Sequence, residues 1–353
     1  RVVGPSEAES ILASGAADLV GMARPLIADA DLARKALVGE PERIRPCVFC
    51  NACWGEIHTM RPVACIYGPE TGREAEWSED ALPPAAPRRV VRIIGAGPAG
   101  LEAARIASRR GHEVHVYEAR ARAGGQASPD ALVPGREEFG KIADYLIREA
   151  TRAGAQIHLK HIVDAEAAAQ WIARGDAVVV ATGAEPDPPA VPGARAVYTL
   201  ESALARKAWA GAGVVVVDEI EDEPVYAAAE ALAARGAVVR VATRRLQIGR
   251  RLAFVSLIGA LRRLAEADIP ILTCCVPVRM EGQTLVTRHV FSGREAAIER
   301  VDALVCCGPY RARDAVARKL QGRGLPVRLI GDAYAPRRMA VAVLEGHQAG
   351  RTV

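Results

Sequence analysis

Aromatic side chains are scarce. Phe, Trp and Tyr together make up 4% of the 353 residues, against 32 glycines. With no sustained basic stripe carrying interleaved aromatics, nucleic-acid binding is not indicated. The net charge is only +4, and the basic clusters Arg88-Arg89, Arg244-Arg245 and Arg250-Arg251 are short. No apolar run reaches the roughly 18–20 residues that span a bilayer, so no membrane anchor is expected. No charged-then-apolar leader stands at the N-terminus, and a cytoplasmic location is expected. A disulfide framework is missing too. Cys274-Cys275 and Cys306-Cys307 are adjacent pairs inside apolar runs, as reduced core residues would be. What is abundant is glycine and alanine, the composition of α/β proteins that pack helix closely on strand. Half the residues are hydrophobic and a quarter charged, which suits a globular chain of two or three domains.

The densest chemical signal is four cysteines, Cys47, Cys50, Cys53 and Cys65, spaced C-x2-C-x2-C-x11-C. Thiolates converging in this way can hold a [4Fe–4S] cluster or a structural zinc ion. Zinc sites usually use two separated C-x2-C knuckles. Three cysteines in one tight run favour the cluster. The flanking residues 45–74 are irregular, as expected where metal bonds replace a core. A Pro-rich connector, Asp80–Arg89, follows.

A βαβ unit comes next. Val90–Ile94 is predicted as a strand and Gly95-Ala96-Gly97-Pro98-Ala99-Gly100 as the turn. Leu101–Arg110 is predicted as a helix and Glu113–Tyr117 as a second strand ending at Glu118. The three glycines permit the tight turn, backbone approach to a pyrophosphate and close helix–strand packing. The helix N-terminus faces the phosphates, and Glu118 is placed to accept from ribose hydroxyls. A glycine motif in this context predicts a dinucleotide site. A second βαβ unit is predicted over 213–245, with strands Gly213–Val217 and Ala237–Ala242 and helix Val225–Arg235. Its turn, Asp218–Pro224, has no glycine and five carboxylates. Repulsion of about 1 kcal/mol per close pair even in water predicts that a nucleotide site has been lost there.

The first residues predict a helix at Ser6–Ser14, a buried strand at Ala17–Gly21 and a helix at Asp29–Leu37. Such a unit cannot bury both faces alone. It is expected to be the last part of a larger domain.

Taken together, these segments resemble the iron–sulfur flavoproteins that include trimethylamine dehydrogenase, bacterial 2,4-dienoyl-CoA reductase, and the N-methylproline and dimethylglycine demethylases. The resemblance covers essentially the whole chain and implies the C-terminal part of that architecture. The implied fold class is α/β. Residues 1–44 would be the end of an FMN-binding (β/α)8 barrel and 45–87 the cluster segment with its linker. Residues 88–200 and 305–353 would form a flavin-type dinucleotide domain, and 201–304 a degenerate NAD(P)-like domain. The resemblance implies FAD, or an ADP in its place, at Gly95–Gly100. It adds Gly125 and Gln126 (in Gly124-Gly125-Gln126), Thr182 and Gly183 (in Ala181-Thr182-Gly183), and Asp332 (in Gly331-Asp332). It also implies that Arg24 contacts an FMN phosphate, with most FMN contacts in the missing barrel. Where the family commonly has Asn-Pro after the fourth cysteine, this chain has Gly68-Pro69.

The implied activity is electron transfer in an amine dehydrogenase or demethylase. An N-methyl amine would be oxidised in the barrel, and electrons would pass through the cluster to an external acceptor such as an electron-transfer flavoprotein. A barrel subunit is a possible partner, and a homo-oligomer is expected. Two alternatives stay open: an NAD(P)H-dependent enoate or dienoyl-CoA reductase, and a non-catalytic partner subunit.

Overall fold

The computed structural model describes residues 2–78, 81–127 and 135–353. The chain divides into two units. The first comprises Arg1–Ser128, Glu138–Ala184 and Ala312–Val353; the second comprises Pro129–Glu137 and Glu185–Arg311.

In the first unit the short helix α1 (Arg24–Ala28) precedes the cysteine loop, and helix α2 (Ala52–His58) follows Cys50 and carries Cys53. The βαβ core is β1 (Val90–Ile94), α3 (Pro98–Arg109) and β2 (Glu113–Tyr117). Strands β3 (Gln156–His158) and β4 (Ala177–Val180) follow. The second unit contributes β5 (Val197–Thr199), β6 (Gly213–Asp218), α4 (Glu223–Ala234), β7 (Val238–Thr243), β8 (Ile271–Leu272) and β9 (Ala303–Cys307). The chain closes with β10 (Arg328–Leu329) and α5 (Met339–Thr352) in the first unit.

The first unit is built on a parallel sheet in the order β10-β4-β1-β2-β3. A parallel sheet buried on both faces needs nearly continuous apolar strands. Val91 and Ile93 accordingly fill one core with Leu101 and Val343, while Ile94, Val178 and Val180 fill another with Trp171. The second unit repeats the plan in the order β5-β9-β6-β7-β8 and adds a three-stranded antiparallel sheet over 275–298. Both α/β expectations are met at the level of elements. Among the described residues, no helix is long and apolar enough to cross a membrane.

Several expectations are corrected. Ala17–Gly21 forms no strand, and Leu19 is 89% exposed. A single apolar run has no ladder to join without a neighbouring strand. The helix expected over Asp29–Leu37 begins at Leu32. Asp29 leaves it because its buried carboxylate accepts from Asp31 N–H, Lys35 Nζ and Arg45 N–H, at 3.0, 2.7 and 2.7 Å. Residues 185–200 and 305–311 were expected in the flavin-type domain but fall in the second unit. Strand β5 pairs with β9, and β9 pairs with β6. The connector's first residue, Asp80, lies outside the described residues. Farther along, Ala85 N–H is tied to Arg110 O at 2.8 Å.

Candidate functional site

The cysteine loop is bent by two left-handed residues, Phe49 (φ 52°) and Asn51 (φ 58°). Such backbone is uncommon outside glycine and marks a segment held by its surroundings. Here it turns Cys47, Cys50 and Cys53 toward one cavity, which Cys65, Ile27 and Tyr67 complete. Tyr67 is buried, and its hydroxyl donates to Pro46 O, clamping the loop beside Cys47. Arg24 also lines the cavity. Its Nη1 donates to Asn51 Oδ1 at 2.8 Å, and its guanidinium lies 4.6 Å from the Phe49 ring centre. The residue assigned by resemblance to an FMN phosphate is thus joined to the cysteine loop.

Burial pushes the Cys50 thiol up to about 12, and the neighbouring Cys65, Cys47 and Cys53 add to the effect. Cys65 is raised for the same first reason, against which the N–H groups of Tyr67 and Gly68 and the charge of Arg45 act. Four such thiolates are tolerable together only around positive charge, which is how metal binding couples to deprotonation. Among the described residues no three of these sulfurs lie within 4.8 Å of one another. A single zinc ion with bonds near 2.3 Å would draw tetrahedral sulfurs to about 3.8 Å. Three of these sulfurs would have to draw closer together to take that ion.

The second candidate centre is the turn Gly95–Gly100. A Cβ on Gly95 would stand 2.3 Å from Ala181 O, and one on Gly100 would stand 2.0 Å from Gly95 O. Only glycine fits, and the backbone stays open on its outer side. No side chain caps α3, so its first N–H groups keep their capacity for an anion. Glu118 ends β2 and is buried; its oxygens accept from Ala96 N–H and Arg120 N–H, both at 2.9 Å. A carboxylate has about four acceptor positions, so two remain.

Three distant segments converge on this turn. A Cβ on Gly125 would lie 2.8 Å from Gly97 Cα, and one on Gly331 would lie 2.8 Å from Ala99 Cβ. Gln126 donates to Ala184 O at 3.0 Å. Thr182 donates to Arg313 O, and Gly183 O accepts from Arg313 N–H. Asp332 follows Gly331; burial pushes its carboxyl above the ordinary range, and Arg337 N–H bonds Oδ1 at 2.9 Å. Asp332 is not the cap residue of α5, where Arg338 stands.

The corresponding turn of the second unit is filled by its own side chains. Asp218 is 1% exposed; it accepts from Glu221 N–H and the Tyr226 hydroxyl, both at 2.7 Å. Burial raises its pKa. Glu221 takes Arg245 Nε at 2.8 Å and Arg250 Nε at 3.3 Å. Carboxylates thus stand where phosphates would need N–H donors, and two arginines are already neutralised. NADPH is therefore expected to quench protein fluorescence only at millimolar concentration or above. Saturable binding in the micromolar range would overturn this reading.

Comparison with known proteins places these features. Residues 89–218 match the pyridine nucleotide-disulphide oxidoreductase family model. A metal reductase of Desulforamulus reducens is 40% identical over 222 residues, 62% of this chain and 33% of the relative. A probable N-methylproline demethylase of Rhizobium meliloti is 34% identical over 275 residues, 78% of this chain and 40% of the relative. The solved histamine dehydrogenase of a Rhizobium species superposes with a TM-score of 0.87 at 27% identity, covering 97% of this chain and 53% of that one. The chain spans about a third to a half of the length of these relatives.

Proposed function

The chain belongs to the flavoprotein oxidoreductase family of N-methylproline demethylase, dimethylglycine dehydrogenase and dimethylamine dehydrogenase, and from that premise we propose that it is the electron-transfer portion of an amine dehydrogenase or N-demethylase. Cys47, Cys50, Cys53 and Cys65 would hold a [4Fe–4S] cluster, which when bound supplies one-electron transfer at a potential tuned by burial and hydrogen bonds to sulfur. The carrying observation is the single cavity that collects all four cysteines, spaced C-x2-C-x2-C-x11-C in the sequence.

The chain's residues would act around that centre and a bound dinucleotide. N–H groups of Tyr67 and Gly68 face the Cys65 sulfur. The Tyr67 ring and Ile27 keep water away from the cavity wall. Gly95, Gly97 and Gly100 let the backbone approach a pyrophosphate, with Pro98 and Ala99 opening α3 behind them. Glu118 would accept from ribose hydroxyls. Gly125, Gln126, Thr182, Gly183 and Asp332 would border the flavin end, so FAD is favoured over ADP. Arg24 would offer its remaining N–H groups to an FMN phosphate in a complete enzyme. There an N-methyl amine would be oxidised to an iminium, which water hydrolyses to the secondary amine and formaldehyde. The acceptor would be external, an electron-transfer flavoprotein by class, and the working form a homo-oligomer.

The reading as an NAD(P)H-dependent enoate or dienoyl-CoA reductase draws support from the similarity to an alkene reductase/demethylase and an NADH oxidase. It is opposed by the carboxylate-filled turn at Glu221. Anaerobic purification followed by iron, sulfide and nucleotide analysis decides the main points. The expected result is about four irons and four sulfides per chain with extractable FAD. Zinc without iron would remove the electron-transfer reading, and ADP without flavin would replace FAD.

A further inference from the structure

A buried ladder of opposite charges runs from the cysteine loop to helices α3 and α5. Arg45 Nη2 pairs with Glu70 Oε2 at 3.1 Å, and Glu70 Oε1 pairs with Arg105 Nη2 at 2.6 Å. Arg105 Nη2 meets Glu102 Oε1 at 2.8 Å, and the same oxygen lies 2.8 Å from His347 Nδ1. Arg105 and His347 are 1% exposed and Glu102 0%. The ligand-type atoms of Glu70, Glu102 and His347 lie within 4.8 Å of one another. Arg45 and Arg105 already balance the charge of the two carboxylates there, so charge balance calls for no bound cation. Burying so many charges costs desolvation energy that ion pairing often does no more than offset. Fold stability alone does not account for the ladder.

Its near end meets the cysteines. A Cβ on Gly68 would stand 2.7 Å from Arg45 Nη1 and 3.2 Å from Cys65 Cβ. The missing side chain is what lets the guanidinium stand beside the Cys65 turn. Arg45 is 7% exposed and fixed in place. Its Nη1 donates to Ala28 O at 3.2 Å, and the Tyr145 ring centre lies 5.3 Å from its guanidinium carbon. Glu70 stands against Arg45 as the paired counter-charge at 3.1 Å. Burial opposes the Glu70 charge, yet Arg45 and Arg105 prevail and keep its carboxyl well below the usual range.

We infer that Arg45 is the cation that sets the reduction potential of the centre held by the four cysteines, with Glu70 as the counter-charge that limits its effect. Gaining an electron adds negative charge to the centre, and a fixed cation in a low-dielectric interior favours that state. This rests on the cluster reading above.

The test is an anaerobic redox titration of the whole chain followed by EPR, with iron content measured on every sample. Arg45→Gln is expected to shift the equilibrium at least tenfold toward the oxidised cluster, 59 mV lower for one electron. Glu70→Gln is expected to move it the opposite way. Gly68→Ala keeps every charge but displaces Nη1, so it should shift in the direction of Arg45→Gln by less. If Arg45→Gln does not fold, the other two variants carry the test. Shifts of the same sign for Arg45→Gln and Glu70→Gln overturn the inference, as do unmoved potentials with iron retained. A wild-type chain that holds no cluster removes the cluster reading and this one together.

Discussion

Cys50→Ser is expected to reduce cluster iron from about four per chain to near zero and to leave the segment around it disordered. The sulfur is enclosed, with its thiol pushed up to about 12. A serine oxygen there would be a poor ligand, and burying it without a partner costs about 1–3 kcal/mol. The local effect centres on the stretch after Cys50, whereas Val48 and Tyr67 on either side are anchored in the core. The helices Ala52–His58 and Glu74–Trp77 bury no residue fully. Around those helices metal bonds would supply what a core supplies elsewhere. Iron analysis and the visible spectrum measure the loss, with Cys307→Ser as the control, since Cys307 is buried in β9 of the second unit. A Cys50→Ser protein with its full iron content would sink the ligand assignment.

Gly100→Ala should empty the dinucleotide site. Its new Cβ would lie 2.0 Å from Gly95 O, backbone on both sides of the contact, so no side-chain rotation relieves it. Overpacking of this kind costs about 1–3 kcal/mol. The relief available is displacement of the turn on which Gly125 and Gly331 also rest. A loss of at least 100-fold in nucleotide affinity is expected, about 2.8 kcal/mol, read from nucleotide retained after gel filtration. Gly21→Ala is the matched control, because nothing lies within 4 Å of that position. Retention of stoichiometric nucleotide by Gly100→Ala would place the site elsewhere.

The parts of this molecule that were legible in its sequence are those specified locally. The strand Val90–Ile94, the glycine turn and the helix after it obey short-range rules, since each glycine there excludes a nearby backbone atom. The gathering of the four cysteines at one cavity was legible in their spacing. Ala17–Gly21 misled because an apolar pentapeptide has the same appearance with or without a neighbouring strand. The boundary expected after residue 200 falls instead at residue 185, because β5 and β9 meet across more than a hundred residues, which no local pattern records. The charge ladder left only one faint sign. Glu102 and Arg105 interrupt an otherwise small and apolar helix at a spacing of three, a pattern that ordinarily marks a solvated face. Here every residue from Ala99 to Ser108 is buried, so the pair had to be internal.

The position of β10 has a consequence for how the protein is made. Strand β4 receives its outer neighbour from Arg328–Leu329, and the glycine turn receives Gly331 and α5 from the same final stretch. On a ribosome moving from the N-terminus, β1 and its turn emerge before β4, yet β4 keeps one unpaired edge until Arg328–Leu329 have been synthesised. The interval is a window for chaperone binding or mispairing. Ribosomes stalled before residue 328 should display a first unit that is protease-sensitive and holds no nucleotide.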